Sequence, residues 1–431
     1  MIWRGLYTLL GFLLMPALAL RLYWRGRKNP LYRQHIGERF GHYRTPPLAD
    51  TIWIHAVSVG ETRAAAPLIA QLQKRYPQTS IVLTHMTATG RATGASLFGD
   101  TVTQVWLPYD YRFAVRRFLN HYSPRLALLM ETEVWPNVIG ECRRRGVPCF
   151  LVNARMSECS AKKYALFSSL MQPVFAALRG VAVQTESDAK RLAALGARNV
   201  AVIGNLKFDI LIPPEMDALG KDFRKHLLGG DDVGDKNKAA RPIWTIASTR
   251  DGEETLILDA LCRARHKLPD NIVIVIVPRH PERFDVVADL LTKRHLAFIR
   301  RSDHIAVPDE TTFVVGDSMG ELFAYYAAAD VAFVGGSLLP LGGQNLLEPI
   351  SVGTPTLIGR HTYNFQDISV AACRDGAALR VADADALIEQ VGELLTNLEK
   401  REAMRTASRR FLSEHRGATE RLVTWIEETL R

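Results

Sequence analysis

The sequence has few cysteines and none of the short motifs that define several common enzyme classes. Its five cysteines are an odd number in 431 residues and lack C-x-x-C or zinc-binding spacing, which indicates reduced thiols in a cytoplasmic setting. The chain contains no G-x-x-x-x-G-K-[ST], no G-x-G-x-x-G after its first predicted strand and no H-E-x-x-H. P-loop phosphate chemistry, hydride transfer and zinc hydrolysis are therefore disfavoured.

Low-complexity tracts and internal repeats are also absent, and the composition is that of a folded protein. Hydrophobic residues make up 47% and charged residues 23% of the chain, close to the globular average, which excludes global disorder. The length exceeds the roughly 250 to 300 residues at which a single core stops growing. Two domains are therefore expected.

Acidic residues are scarce near the N-terminus, where most of the net charge lies. Residues 1–50 carry eight basic and two acidic side chains, so this segment holds +6 of the total +9. A nucleic-acid groove would spread positive charge through the body of the protein, whereas a basic end favours a localised anionic surface. We therefore expect no nucleic-acid partner.

The chain has no continuous apolar run of about 20 residues, the length that a membrane-spanning helix needs. Residues 6–20 form a shorter apolar run that is followed by a cluster of basic residues. This pattern favours a short signal anchor or an interfacial helix on cytoplasmic-leaflet phospholipid. A cleaved signal peptide and a buried core helix remain alternatives, although the single basic residue before the run fits a signal peptide poorly.

From residue 51 onward, short β-branched runs alternate with helical patterns, which predicts parallel sheets covered by helices. The predicted strands are 52–57, 81–84, 102–107, 126–130, 148–152, 181–184 and 200–203, then 243–247, 272–277, 297–299, 312–315, 331–334 and 356–358. The predicted organisation is an N-terminal anchor and basic segment at 1–50, α/β domains at 51–209 and 242–396, a linker and surface insertion at 210–241, and a C-terminal helix at 397–431.

Ligands of open parallel sheets bind outside the carboxyl ends of the strands, so chemistry is expected in the turns that follow strands. Glu61 follows the first strand at a helix start. It could act as a general base, or only compensate the helix dipole. We expect that dipole to lower the pKa of Glu61 and keep it ionised.

Two further positions in the first half carry charged residues of interest. Glu131 and Glu133 follow a buried strand, where they are site carboxylates or N-terminal helix charges. Lys207 lies before the linker, where it could stabilise negative charge on a ligand, although a lone lysine is by default a surface residue.

The second half has three strand ends that are typical of a nucleotide site. Pro278 and Arg279 follow one strand, and an arginine fixed at a strand end can bind phosphate. Small residues around Met319, Gly320 and Glu321 follow another. A third strand leads through glycine pairs to a segment whose free amides and helix start would face an anion, consisting of Asn345, Leu346, Leu347 and Glu348. Asp383 and Asp385 match the spacing of a metal-binding D-x-D, but their place at a helix start predicts a cap, and no metal is assigned.

These motifs stand in the same order in a known family. They are S-V-G-E-T at 58–62, M-E-T-E-V-W-P-N at 130–137, N-A-R-M-S at 153–157, L-K-F-D at 206–209, P-R-H-P-E-R at 278–283, G-D-S-M-G-E-L at 316–322 and G-G-Q-N-L-L-E-P at 342–349. Over essentially its whole length the chain resembles the bacterial 3-deoxy-D-manno-octulosonic acid (Kdo) transferases of lipopolysaccharide synthesis. One departure is Gln344, where many relatives have histidine.

The resemblance implies an α/β fold of two Rossmann-like, doubly wound domains of the glycosyltransferase-B class. It implies CMP-Kdo as donor, the tetraacylated lipid A precursor as acceptor and the inner membrane as location, without a cofactor or metal. Glu61 then matches the general base, and Glu131 and Lys207 match residues thought to stabilise the transition state. The CMP-binding positions it implies are Pro278, Arg279, Met319, Gly320, Glu321, Asn345, Leu346, Leu347 and Glu348.

Other functions remain open from the residues alone. A related enzyme acting on a UDP-sugar, including a twin-domain epimerase, would share the fold and the glycine-rich turns, although not the L-K-F-D and M-E-T-E motifs. A catalytically inactive membrane scaffold would keep the N-terminal segment but would not need Glu61. We also expect the two domains to close about the linker near residues 210–214, since the predicted base and nucleotide site lie on different domains.

Overall fold

A computed structural model describes residues 2–227 and 241–431 of the chain. These residues form two compact units. The first comprises Met1–Leu211 together with His415–Arg431, and the second comprises Ile212–Glu414.

The first unit is built on a seven-stranded, all-parallel sheet in the order β3-β2-β1-β4-β5-β6-β7. Both faces are buried because the strands are continuous apolar runs. On β1, Trp53 joins the core on one face, whereas Ile52 and Ile54 join the core on the other, as the two-residue period of a strand requires. The strands are β1 (Thr51–His55), β2 (Ile81–His85), β3 (Thr103–Trp106), β4 (Pro124–Met130), β5 (Cys149–Ala154), β6 (Gly180–Val183) and β7 (Val200–Val202).

Helices separate these strands and cover the sheet. They are α1 (Ile2–Leu13), α2 (Met15–Lys28), α3 (Val59–Arg75), α4 (Ala88–Phe98), α5 (Arg112–Tyr122), α6 (Pro136–Arg144), α7 (Glu158–Leu166), α8 (Ser168–Phe175) and α9 (Glu186–Ala194). Short 3-10 turns lie at Pro30–Arg33, Ile36–Phe40, Gly99–Thr101 and Leu206–Phe208.

The second unit repeats the architecture with a seven-stranded parallel sheet in the order β10-β11-β9-β8-β12-β13-β14. Its strands are β8 (Ile243–Thr249), β9 (Val273–Pro278), β10 (Phe298–Arg300), β11 (Phe313–Val315), β12 (Val331–Val334), β13 (Thr356–Ile358) and β14 (Ala378–Arg380). Its helices are α10 (Pro214–Leu227), α11 (Glu253–Ala264), α12 (Phe284–Lys293), α13 (Leu322–Ala328), α14 (Leu347–Ser351), α15 (Gln366–Arg374), α16 (Ala384–Thr396) and α17 (Leu398–His415). Its 3-10 turns are Arg265–Lys267, Pro281–Arg283, Arg301–Asp303 and Tyr363–Phe365.

All thirteen predicted strands are present, and among the strands of residues 2–227 and 241–431 only β14 was missed. This strand has three residues, and it pairs with a neighbour only on the β13 side at the edge of its sheet. Its sequence, Ala-Leu-Arg, lacks the β-branched residues by which the other strands are recognised.

The interval predicted as a linker and insertion contains a helix instead over most of its described part. Helix α10 belongs to the second unit, where Phe223 and Leu227 are buried in a core with Tyr325. The prolines before it predicted a break, but a proline at the start of a helix is compatible with the helical backbone. The predicted insertion at residues 229–240 lies outside the described residues.

The C-terminal segment, predicted as one helix, consists of two. Helix α17 ends at His415, Gly417 has a φ of +85°, and α18 (Ala418–Leu430) follows. A positive φ suits glycine and interrupts the helix. Helix α18 belongs to the first unit, where Leu422 and Ile426 join the core that contains Ile52.

The N-terminal apolar run forms α1 and the start of α2. Within the described residues, no single helix is long and apolar enough to cross a membrane. One pair of helical segments, Gly5–Leu13 and Met15–Arg27, reaches that length and apolarity when taken together, but the two are bent by 53° at the break between them. Helix α1 is attached to the first unit by the ring of Phe12 on Tyr111 and by the Tyr111 hydroxyl, which donates to Gly11 O at 2.8 Å. Many of its apolar side chains are nevertheless exposed, namely Trp3, Leu6, Leu9, Leu10, Phe12 and Leu13.

Each sheet has a topological switch point, where the strands on one side are added in one direction along the sheet and those on the other side in the opposite direction. In the first sheet this point lies between β1 and β4, and in the second it lies between β8 and β12. Parallel sheets open a crevice outside the carboxyl ends of the two strands at such a point. The turns after these four strands are therefore where each unit is expected to bind a ligand.

Candidate active site

Glu61 lies in the first turn of α3, directly after β1, and is only 9% exposed. Its carboxylate accepts hydrogen bonds from the Val57 N–H at 2.8 Å and from the Ser58 hydroxyl at 3.0 Å. Ser58 in turn caps the helix by accepting from the Glu61 N–H. This reciprocal arrangement is close to a capping box, so Glu61 has a structural role in addition to any chemical one.

The expected direction of the Glu61 pKa was wrong. Burial raises its pKa to about 7, with further raising by the charges of Glu131 and Glu133, although the Val57 hydrogen bond and His55 act in the opposite direction. Desolvation of the charged form therefore outweighs the helix dipole. A carboxyl group with a pKa near neutrality is better matched to general base catalysis than one with a lowered pKa.

Glu131 and Lys207 form an ion pair in the same unit. Lys207 Nζ lies 2.8 Å from Glu131 Oε1, and both side chains are mostly buried. Glu131 follows β4 with a φ of +53°, a left-handed conformation that is strained for a residue with a side chain. Such strain is found at functional sites. The pair brings together two of the predicted catalytic residues, which are 76 positions apart in the sequence.

Glu133 and His55 also belong to this cluster, and the sequence did not single out His55. The fully buried His55 ends β1, and its Nε2 lies 3.5 Å from Glu133 Oε2 without forming a hydrogen bond. The indole Nε1–H of Trp135 donates to the same carboxylate oxygen at 2.8 Å. His55 lies inside the predicted strand 52–57, so its position in the sequence did not mark it as a residue of the site.

Other residues of the recognised motifs have structural roles. Asp209, the last residue of L-K-F-D, accepts hydrogen bonds from Gly417 N–H and Thr419 N–H at the start of α18, both at 2.6 Å. Asn153 has a φ of +52° and accepts a hydrogen bond from Leu206 N–H at 3.0 Å. These bonds hold the segment that carries Lys207 against β5 and against the start of α18.

In the second unit, Pro278 ends β9 and Arg279 begins the turn that follows. The Arg279 N–H donates to Thr249 O at 3.0 Å, and its Nε donates to Gln344 Oε1 at 3.3 Å. Arg279 and the segment around Gln344 were predicted as separate parts of a nucleotide site. The structure brings them into contact.

The second predicted segment, Met319 to Glu321, forms the turn before α13. Gly320 has a φ of +85°, and the side chain of Met319 is 57% exposed. Glu321 lies 3.8 Å from Arg301. The turn therefore presents an apolar side chain and a glycine without a side chain to solvent.

The third predicted segment, Asn345 to Glu348, has firm internal contacts. Asn345 donates from Nδ2 to Glu348 Oε1 at 3.2 Å and accepts from Leu347 N–H through Oδ1 at 3.2 Å. Gly342 and Gly343 have φ values of +96° and +74°, so the glycine pair is required by the backbone. The following helix, α14, has only five residues. A helix dipole at this point is therefore weaker than the sequence led us to expect.

The other glycine turn, after β12, is already occupied by a side chain. The carboxylate of Glu253 accepts hydrogen bonds from the N–H groups of Gly336, Ser337 and Leu338 at 2.5, 2.9 and 3.0 Å. The expected free amides of this turn are therefore not free. The sequence did not single out Glu253, although it follows β8 directly after a glycine.

Asp383 and Asp385 do not act together. Asp383 caps α16 by accepting from Ala386 N–H at 2.9 Å, and Asp385 pairs with Arg263. The predicted cap is thus confirmed. Within residues 2–227 and 241–431, no three His, Cys, Asp or Glu side chains are grouped as a metal site. All five cysteines are free.

Known structures and families define the class of protein. The fold resembles UDP-GlcNAc 2-epimerase from Neisseria meningitidis, with a TM-score of 0.55, 15% identity and coverage of 88% of this chain and 100% of that one. It also resembles a glycosyltransferase from Rickettsia africae, with a TM-score of 0.56, 12% identity and coverage of 89% and 99%. Residues 256–411 match the family Glycosyl transferases group 1. The chain is a glycosyltransferase with two α/β domains, as predicted.

The first unit narrows this class. Residues 34–210 match the family described as 3-Deoxy-D-manno-octulosonic-acid transferase. The 3-deoxy-D-manno-octulosonic acid transferase of Bordetella pertussis is 41% identical over 99% of both chains, and that of Haemophilus influenzae is 40% identical over 99% of both. The chain belongs to the Kdo transferase family.

Proposed function

We propose that the protein transfers Kdo from CMP-Kdo to the 6′-hydroxyl of the tetraacylated disaccharide bisphosphate precursor of lipid A, with inversion at the anomeric carbon. The observation that carries this proposal is the carboxyl group of Glu61, which is buried at the sheet's switch point with a pKa of about 7. The names of the full-length relatives supply the sugar.

In the proposed step, the acceptor hydroxyl oxygen attacks the anomeric carbon of Kdo. The new glycosidic C–O bond forms as the bond to the CMP phosphate breaks, and CMP leaves with the electron pair. Glu61 accepts the hydroxyl proton. Because burial raises its pKa to about 7, this group can take up a proton near neutral pH.

The ion pair of Glu131 and Lys207 is suited to stabilising charge in this step. Lys207 Nζ is fixed at 2.8 Å from Glu131, so the cation does not have to be ordered when charge develops. Arg279, held by Gln344, is the proposed contact for the donor phosphate, with Met319 to Glu321 and Asn345 to Glu348 as the other donor segments. An arginine suits a phosphate because its guanidinium group can donate two parallel hydrogen bonds.

Mass spectrometry of the acceptor tests the proposal. The lipid A precursor is incubated with CMP-Kdo and membranes that contain the wild-type protein, Glu61→Gln or the control Glu186→Gln. Glu186 is a matched control because it is an exposed acid in the first turn of α9, after β6 of the same sheet.

We expect the acceptor to gain the mass of one or more Kdo units with the wild type and Glu186→Gln, but not with Glu61→Gln. Intact CMP-Kdo and an unchanged acceptor with the wild type would contradict the proposed substrates. In that case, hydrolysis or epimerisation of a UDP-sugar by the purified protein is the next measurement.

We also propose that the N-terminal segment attaches the protein to the cytoplasmic face of the inner membrane. The exposed apolar side chains of α1 are followed by Arg21, Arg25 and Arg27 on α2. Apolar surface beside cationic side chains is the pattern that binds an anionic phospholipid interface. An acylated acceptor in the membrane would then meet an enzyme held at the same surface.

Flotation with vesicles tests this attachment. Vesicles containing phosphatidylglycerol should carry the wild type, and a variant with Leu9→Glu and Leu13→Glu should remain at the bottom of the gradient. Leu166→Glu is the control, because Leu166 is equally apolar and 80% exposed, but lies on α7. Equal flotation of the three proteins would contradict attachment through α1.

We further propose that transfer needs no metal ion, because Arg279 and Lys207 can supply positive charge to the donor phosphate and the reacting centre. Product formation should be the same with and without EDTA. A loss of activity that Mg²⁺ or Mn²⁺ restores would overturn this part of the proposal.

A further inference from the structure

Glu253 accepts hydrogen bonds from four backbone N–H groups, although it belongs to none of the recognised motifs. Its side chain is 0% exposed. In addition to the N–H groups of Gly336, Ser337 and Leu338, its oxygens accept from the Arg250 N–H at 3.0 Å. A surface helix charge would not need this arrangement, since water would solvate it.

The position of Glu253 in the sheet is also specific. It begins α11 after β8, whereas the three N–H groups follow β12. These are the two strands between which the sheet changes direction. Glu253 therefore joins the two turns that form the edges of the expected ligand crevice of the second unit.

Successive backbone N–H groups of this kind form an anion-binding concavity. In many proteins a ligand phosphate fills such a concavity. Here the carboxylate of Glu253 fills it, so the N–H groups of the turn after β12 have a structural role.

The turn held by Glu253 supports the donor segments directly. The Gly336 carbonyl accepts from Gly343 N–H at 2.6 Å, and the Gly335 carbonyl accepts from Gln344 N–H at 3.1 Å. Gln344 then accepts from Arg279 through its side chain. A continuous chain of hydrogen bonds thus leads from Glu253 through the β12 turn to Gln344 and Arg279.

We propose that Glu253 is a positioning residue for donor binding: its carboxylate fixes the β12 turn, and through it sets Gln344 and Arg279 in place for the phosphate of the nucleotide sugar. This inference rests on the proposed function of Arg279. It assigns Glu253 no contact with the donor and no part in proton transfer.

Chemical rescue provides the test. Glu253→Ala leaves the three N–H groups of residues 336–338 without their acceptor, and formate is small enough to replace the lost carboxylate. We expect the KM for CMP-Kdo to rise about 10-fold or more, with the KM for the acceptor and kcat within about three-fold of wild type. Formate should lower the KM for CMP-Kdo again.

Glu254→Ala is the matched control. Glu254 is the next residue, is also buried, and accepts from Arg283 at 2.9 Å rather than from the β12 turn. Its variant should show no response to formate. A KM for CMP-Kdo in Glu253→Ala that equals the wild-type value, or rises without any response to formate, would overturn the proposal.

Amide hydrogen exchange separates this inference from the proposed function. In Glu253→Ala, the amides of residues 336–338, 343 and 344 should exchange faster than in the wild type, and formate should slow them. This result is expected whether or not the protein uses CMP-Kdo. Unchanged exchange would refute the positioning role even if the enzyme transfers Kdo.

Should Glu253→Ala not fold, Glu253→Gln gives the same exchange and KM comparison without formate, because its amide cannot accept at both positions.

Discussion

The turns after β1 and β4 in the first unit present charged side chains, whereas the turns after β8 and β12 in the second unit are organised by backbone groups. In the first unit, Glu61 is buried with a raised pKa, and Glu131 is paired with Lys207. In the second unit, the buried carboxylate of Glu253 accepts hydrogen bonds from three backbone N–H groups of the β12 turn. Similar sheets thus support different chemistry, because the environment of each carboxylate decides whether it can react.

Among the changes that test this difference between the two units, removing the carboxylate of Glu61 should have the largest effect on kcat. Glu61→Gln keeps the shape of the side chain but cannot accept the hydroxyl proton, so kcat should fall by about 10²- to 10⁴-fold. The KM for CMP-Kdo should change little, since the proposed donor segments lie in the second unit. Steady-state kinetics measures both, with Glu186→Gln as control. A loss of less than three-fold in kcat would show that Glu61 acts only as a helix cap.

Breaking the ion pair should have the next largest effect. Glu131→Gln and Lys207→Met should each lower kcat by about 10²-fold, because a fixed cation at the reacting centre is lost or misplaced. The double variant should lose about as much as one single variant, since the two residues act as a unit. Additive losses in the double-mutant cycle would show that the two side chains act separately.

Arg279→Ala tests the second unit's part of the contrast. The KM for CMP-Kdo should rise about 10- to 100-fold while kcat at saturating donor stays within a few-fold, as expected for a phosphate contact. Arg263→Ala, whose arginine pairs with Asp385 at the surface, serves as control. A fall in kcat with an unchanged KM would move Arg279 from donor binding to the chemical step.

The pH dependence of kcat/KM should reflect the pKa of Glu61. Its carboxylate form is required, and its pKa is about 7. The rate under kcat/KM conditions should therefore fall as pH drops below about 7, by nearly ten-fold per unit once the limb is reached. A rate that stays constant down to about pH 5 would contradict a base with this pKa.

The raised pKa of Glu61 also makes the stability of the protein depend on pH. Stability depends on pH in the opposite direction to activity, because low pH favours the folded state. Because the folded pKa lies above the usual value of 4.5, the folded state binds the proton more tightly. This contribution to stability is present below pH 4.5 and is lost as pH rises through about 7. Above pH 7, Glu61→Gln should unfold at an equal or higher denaturant concentration than wild type, whereas Glu186→Gln should match wild type throughout.

The smallest expected effect lies outside the reacting groups. Asp209→Ala removes the acceptor of two N–H groups at the start of α18, so the free energy of unfolding should fall by about 1 to 2 kcal/mol. Denaturant unfolding measures this loss, with the exposed Asp217 of α10 as a control. An unchanged stability would mean that water replaces Asp209 at the helix start.

The sequence predicted the strands well for a physical reason. A parallel sheet that is buried on both faces needs continuous apolar runs, such as the one ending at Val334, and these stand out in composition. It predicted β14 and α10 poorly because short edge strands and proline-led helices carry weaker local signals. The C-terminal segment forms two helices because Gly417 interrupts it, and Leu422 and Ile426 then pack in the core of the first unit.

The candidate site was predicted in part for a related reason. Strand ends can be located from composition, so Glu61, Glu131 and Arg279 could be named in advance. His55 could not, because its significance lies in the 3.5 Å distance to Glu133 across two strands. The direction of the Glu61 pKa was also beyond reach, because it depends on burial by residues far apart in the chain.

By itself the sequence determined that this protein has two parallel α/β domains and which strand ends carry charged or glycine-rich turns, since both follow from local patterns. The tertiary structure decided which of those groups meet. It paired Glu131 with Lys207, joined Arg279 to Gln344, and enclosed Glu253 within the β12 turn. Hydrogen bonds and desolvation act over a few ångströms in space, so only the folded chain shows which carboxylate is held as structure and which is left able to react.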